Sequence, residues 1–126
     1  MIKAQELIKD EIKQIDSTIR ARRSTSGVTA SDSKPWDKTT AEEQAQIELE
    51  GNERYAGYND IKDQEAKDWT YLAAYAHVVL LRTVDLYNKR PEYIDLTVDD
   101  QGRVYEKTIL KIYEIEQNCI RNTLPF

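Results

Sequence analysis

The stretch Gln64–Asn88 constrains this chain more than any other: 25 residues without proline or glycine, in which apolar side chains recur at helical spacing. Trp69, Leu72, Ala76, Val79, Thr83 and Leu86 follow one another at intervals of three or four and so share a face. Tyr71, Tyr75, Val78 and Leu81 widen that face, which predicts a helix buried over much of its girth. Pro91 stops the run, because it has no backbone N–H and holds Arg90 out of the helical region. A helix of this kind needs other helices around it. The expected fold is mostly α, a bundle of about four helices in one domain over residues 1–126.

The other helices are read in the same way. In residues 2–23, Ala4, Ile8, Ile12, Ile15 and Ile19 form one narrow stripe, suited to an outer bundle helix or to pairing with a partner helix. Residues 24–38 carry small polar residues, Gly27 and Pro35, and predict a long loop with Trp36 as its anchor. Thr39–Gly51 reads as a short helix. Thr40 is placed to cap it with Glu43 three residues on, and Gly51 to end it. Asn52–Asp63 is polar and rich in turn residues.

Beyond Pro91, Tyr93–Val98 alternates with period two and Asp99-Asp100-Gln101-Gly102 resembles a turn, so a small β-hairpin is expected over 93–107. Thr108–Asn122 is the last expected helix, with Ile109, Ile112, Tyr113, Cys119 and Ile120 on its apolar face.

Composition excludes several classes. One cysteine rules out an internal disulfide framework and a cysteine zinc site, and one histidine disfavours a histidine-rich metal centre or a catalytic triad. A net charge of −5 disfavours nucleic acid as a partner, since phosphate contacts need a basic surface. No apolar run approaches the ~20 residues of a membrane span. The polar start of the chain has no signal-peptide pattern, which gives a cytoplasmic expectation.

Three carboxylates fall on apolar sides of expected helices. At ~100° per residue, Glu65 and Asp68 project into the arc of Leu72, Ala76 and Val79, and Glu116 into the middle of the last helix's apolar face. A buried carboxylate needs a partner, either an arginine or a divalent cation. An i, i+3 carboxylate pair completed by oxygens from another helix would suit Mg²⁺ or Mn²⁺. Arg20, Arg23 and Lys38, at the edges of the 24–38 loop, are the candidates for gripping a ligand's phosphates.

Glu42-Glu43-Gln44-Ala45-Gln46, eighteen residues and then Glu65-Ala66-Lys67-Asp68 resembles the EExxE…ExxD signature of the MazG-like all-α nucleoside triphosphate pyrophosphohydrolases. Gln46-Ile47-Glu48-Leu49-Glu50-Gly51, Tyr58-Asn59-Asp60 and Leu72-Ala73-Ala74-Tyr75-Ala76 are similar to a pattern in small phage and prophage proteins. Together the two cover Thr39 to about Arg82. The resemblance implies a homo-oligomeric, Mg²⁺-dependent protein that binds or hydrolyses nucleotides, with Glu43, Glu65 and Asp68 as metal ligands. Gln46 stands where that family has a glutamate, and its amide is a weaker Mg²⁺ ligand. Tyr58 and Asn59 depart from the His-Asp of the phage pattern. Glu116 joins the candidate metal set from its wheel position alone.

Plainer duties compete for the same residues. Glu42 and Glu43 suit a helix N-terminus, as do Glu65 and Asp68. Glu116 could pair with Arg82 or Arg103. His77 and Cys119 read as ordinary packing residues. The rival function is a non-catalytic acidic binding protein, such as an inhibitor, an immunity protein or a virion component. Its protein partner would meet the 2–23 stripe and the exposed tyrosines.

Overall fold

The computed structural model describes residues 2–25, 39–89 and 98–123, with side chains over 2–21, 39–87 and 106–123. The expectations placed on 26–38, among them Trp36 and Lys38, lie outside the described residues, as do 90–97 and the side chain of Arg23. Among the described residues there are four α-helices: α1 (Lys3–Thr25), α2 (Ala41–Gly51), α3 (Gln64–Lys89) and α4 (Val98–Arg121). Two single 3₁₀ turns, Glu53–Tyr55 and Tyr58–Asp60, carry the connection from α2 to α3.

The expected hairpin over 93–107 is not formed: from Val98 onward the chain is helical, so α4 begins ten residues before Thr108. Asp99 and Asp100, expected to make a turn, stand instead in the first turn of that helix. Gly102 is carried inside that helix at modest cost.

The start of α2 follows the sequence closely. The Thr40 hydroxyl accepts from the Glu43 N–H at 3.1 Å, and the Glu43 carboxylate accepts from the Thr40 N–H at 3.4 Å. This capping box satisfies two orphan donors at once. Gly51 is the last helical residue rather than the one beyond it, and Asn52 caps the end. Ala41, Ala45 and Leu49, four apart, form the buried edge of α2.

α3 is the axis of the bundle. Every residue from Leu72 to Ala76 is buried, so the helix is covered all the way round at its middle. Three of those five are alanines, which let neighbouring helices approach closely. Its two buried threonines lose no hydrogen bonds: Thr70 and Thr83 donate to the carbonyls of Ala66 and Val79, one turn back, at 2.9 and 2.8 Å.

α4 lies antiparallel to α3. His77 meets Glu116 and Tyr87 meets Glu106, so ten residues forward on α3 correspond to ten back on α4. α1 runs in the same direction as α3. Near its start the buried Gln5 accepts from the Ile2 N–H and donates to the Glu65 carbonyl at 2.9 Å. Farther along, Ile19 packs with Leu86. The main core joins Ile12, Leu49, Trp69, Leu72, Val79, Ile112 and Cys119, so all four helices contribute to it. Among the described residues, no helix is long and apolar enough to cross a membrane.

Candidate functional site

The four candidate metal ligands do not gather. Glu43 is exposed and engaged in the capping box of α2. Gln46, also exposed, donates to Glu50 at 3.0 Å. Glu65 is exposed and Asp68 half-buried, its carboxylate accepting from Gln64 at 2.8 Å. The inward phase expected of this pair fails for a physical reason: a helix buried all round at its middle has no single inward face. At its first turn the covered side is that of Ala66, Trp69 and Thr70, and Glu65 lies beside it. Among the described residues no group of three or more His, Cys, Asp or Glu side chains is placed to hold a metal ion.

Glu116 is the acid whose burial was read correctly, at 3% exposure, but its partners are Arg54 and His77. Of the arginines expected there, Arg82 instead donates to the Thr39 carbonyl at 2.8 Å, and the Arg103 side chain lies outside the described residues. One carboxylate oxygen, Oε1, takes His77 Nδ1 at 2.8 Å and Arg54 Nη2 at 3.2 Å. The short first contact assigns the proton to Nδ1, because the carboxylate can only accept. Arg54 Nη1 lies 3.3 Å from Nε2 and 3.5 Å from Nδ1. An atom approaching one ring nitrogen in the plane would be much farther from the other. Arg54 Nη1 therefore lies over the face of the imidazole, and the same guanidinium stands 5.6 Å from the centre of the Tyr55 ring, a cation–π contact. The result is a tie from the 3₁₀ turn at Glu53–Tyr55 across α3 to α4.

Next to this tie, burial and then the Glu116 charge push the Cys119 thiol up to about 12. That leaves it a packing residue and not a nucleophile. The apolar face of α4 is narrower than its sequence suggests. Ile112, Ile115 and Cys119 are buried, while Leu110, Tyr113 and Ile120 face outward at 61, 50 and 37% exposure.

A second constellation lies on the other side of α3. Lys13, Asp16, Ser17 and Arg20 of α1, Thr40 and Glu42 at the start of α2, and Tyr75 of α3 line a cleft of about 210 Å³. Asp16 forms part of its wall and is only 5% exposed. Its Oδ2 meets Arg20 Nε at 3.3 Å, whereas its Oδ1 is buried without a hydrogen-bond partner. Burial raises the Asp16 carboxyl above the usual carboxylate range. Arg20 and Arg82 oppose that rise and Glu42 adds to it. Burial likewise raises the Tyr75 hydroxyl, and pushes that of Tyr71 up to about 12.

Of the expected phosphate-gripping residues, only Arg20 lies within the described side chains, and it lines this cleft. Glu42, from the first motif, lines it too. Asp16 was passed over although a signal existed: Ile12, Asp16 and Ile19 are spaced four and three apart, which puts an acid in the apolar stripe. Arg54 and His77 carry no comparable signal, since they are 23 residues apart and meet only through packing. Comparison with protein-family models, with curated proteins and with solved structures finds no match to this chain.

Proposed function

We propose that this chain acts by binding, and not as a hydrolase built on its motif carboxylates. The observation that carries this reading is the dispersal of the four acids: Glu43 caps α2, Glu65 is exposed, Asp68 accepts from Gln64, and Glu116 is held by Arg54 and His77. An in-line attack by water needs ligands that converge on one ion and one phosphate; among the described residues no three acids come together in that way. The outward residues Leu110, Tyr113 and Ile120 offer a protein partner an apolar surface on α4, because they fall on one stripe of that helix. The α1 stripe is the less suited surface, because Ile12 and Ile19 pack inside the chain at 1 and 2% exposure and Ile8 and Ile15 are half-buried against the core.

Mg²⁺-dependent nucleotide hydrolysis is the second reading. Its support is that Arg20 and Glu42 line the same cleft. One assay separates the two. The full chain is incubated with the common ribo- and deoxyribonucleoside triphosphates and Mg²⁺ or Mn²⁺, and pyrophosphate release is followed. The binding reading expects no release above the buffer control. Metal-dependent release that disappears in Glu42→Gln, or in Glu65→Ala with Asp68→Ala, would overturn it.

A further inference from the structure

The outward residues of α4 do not stand alone. Leu81 of α3, 39% exposed, borders the same strip. From the His77–Glu116 contact, Leu81 is one turn forward on α3 and Tyr113 one turn back on α4, and in an antiparallel pair those two steps run the same way. The register set by His77 with Glu116 and Tyr87 with Glu106 brings Leu81 level with Ile112, midway between Leu110 and Tyr113.

The strip has the spacing of a two-helix seam. Glu106, Leu110, Tyr113, Gln117 and Ile120 follow one another at intervals of four, three, four and three. Along its outer flank stand Lys107, Glu114 and Arg121, all exposed and alternating in sign. A second copy that covers the strip must match it to itself about a two-fold axis. If the two α4 helices ran parallel, the charged flank would meet the apolar flank that carries Leu81. If they run antiparallel, each flank meets its own copy.

Charge then chooses the register. Setting Leu110 on Ile120 of the second copy would place Lys107 against Arg121 and Glu114 against Glu114, like charge on like. Setting Leu110 on Tyr113 of the second copy places Lys107 against Glu114, and Gln117 against Glu106, each twice. In that register the axis passes between Leu110 and Tyr113, which is the level of Leu81, so both copies of Leu81 stand beside it.

We propose that the partner at the α4 surface is a second copy of this chain, packed antiparallel through α4 with Leu110 on Tyr113 and Lys107 paired with Glu114 across the axis. This rests on the reading of the chain as a binding protein and names the partner. Few side chains take part, against the roughly 20–30 a side of a standard interface, so the dimer is weak, with a Kd of about 10–100 µM.

The test is sedimentation equilibrium of the full chain from about 5 to 500 µM, a range that brackets that Kd. The expected mass climbs from that of one chain towards twice that. Lys107→Glu and Glu114→Lys, both exposed changes, are each expected to weaken the dimer about tenfold or more, because each sets like charges across the axis. The double exchange of the two residues is expected to restore it. An equimolar mixture of the two single variants is expected to associate, since every flank pair is then of opposite sign. A chain that stays monomeric throughout removes the second copy as partner and leaves the binding reading to the pyrophosphate assay. A dimer that either single change leaves intact, or single variants that fail to associate when mixed, overturns the register and the proposal with it.

Discussion

Arg54→Ala removes one of two donors from a carboxylate that is almost fully enclosed. The Glu116 side chain is 4% exposed, that of Arg54 45% and that of His77 28%. Breaking a fully buried ion pair from one side costs ~3–5 kcal/mol, because the remaining charge is stranded. An exposed pair is worth ~0–1 kcal/mol. Here the acid is buried and the arginine about half in water. His77 also continues to donate to the same oxygen. The cost of Arg54→Ala should therefore lie between those limits, about 1–2 kcal/mol. Glu116→Gln keeps an acceptor for His77 and removes the charge that Arg54 answers. In that background Arg54→Ala should cost less, with a coupling of about 1 kcal/mol. The assay is urea unfolding at neutral pH, followed by far-ultraviolet circular dichroism, for the four proteins of the cycle. Arg54→Ala costing the same in both backgrounds would show that the guanidinium acts only through the His77 ring and the Tyr55 ring, whose centre is 5.6 Å away. A wild-type-like Arg54→Ala would refute the enclosed-charge argument altogether.

Other consequences can be checked alongside. Thr40→Ala breaks the capping box and should lower stability by ~1 kcal/mol, seen as a lower urea midpoint with an unchanged slope. Burial raises the folded-state pKa of Asp16 above the ordinary aspartate value of 3.8. The folded state therefore holds this proton more tightly than the unfolded chain. The favourable contribution is present below 3.8 and is lost as pH rises through the raised value. Urea unfolding over a pH series should accordingly show wild type losing stability relative to Asp16→Asn as pH climbs from 3.8; a flat difference would contradict the assignment. Cys119 is buried and its thiol raised to about 12. At pH 8 it should react with a disulfide reagent only through opening of the helix pair, and faster once Arg54 is replaced. Immediate reaction in the native wild type would contradict its placement.

The helices were legible because each carries a periodic apolar face long enough to outweigh local ambiguity. Thr40 and Glu43 marked the start of α2 to the residue. Residues 93–107 were misread because two local signals coincide there. Asp99-Asp100-Gln101-Gly102 has the composition of a turn, yet its acids equally favour a helix N-terminus, and only packing against α3 decides between them. The candidate site was legible in part. Phasing placed Glu116 in the core, and the same reasoning applied to Ile12–Ile19 would have found Asp16. It failed for Glu65 because the first turn of α3 is covered on the side of Ala66, Trp69 and Thr70, a side that the fully enclosed middle of the helix does not mark. It could not supply Arg54 and His77 as partners, since the choice depends on how the 3₁₀ turns bring the chain back across α3.

The alanines of α3 set how the molecule can change. At Ala73, Ala74 and Ala76 neighbouring helices close on the axis from several sides, at 4, 1 and 0% exposure. A larger side chain there has no direction in which to grow, whereas α1 and α4 each keep a wet face that can absorb almost any residue. Tyr75 of the cleft lies within that stretch and His77 of the Glu116 tie directly after it, two residues apart on different sides of one shaft. A turn or slide of the shaft that opened one of these sites would have to shear the other.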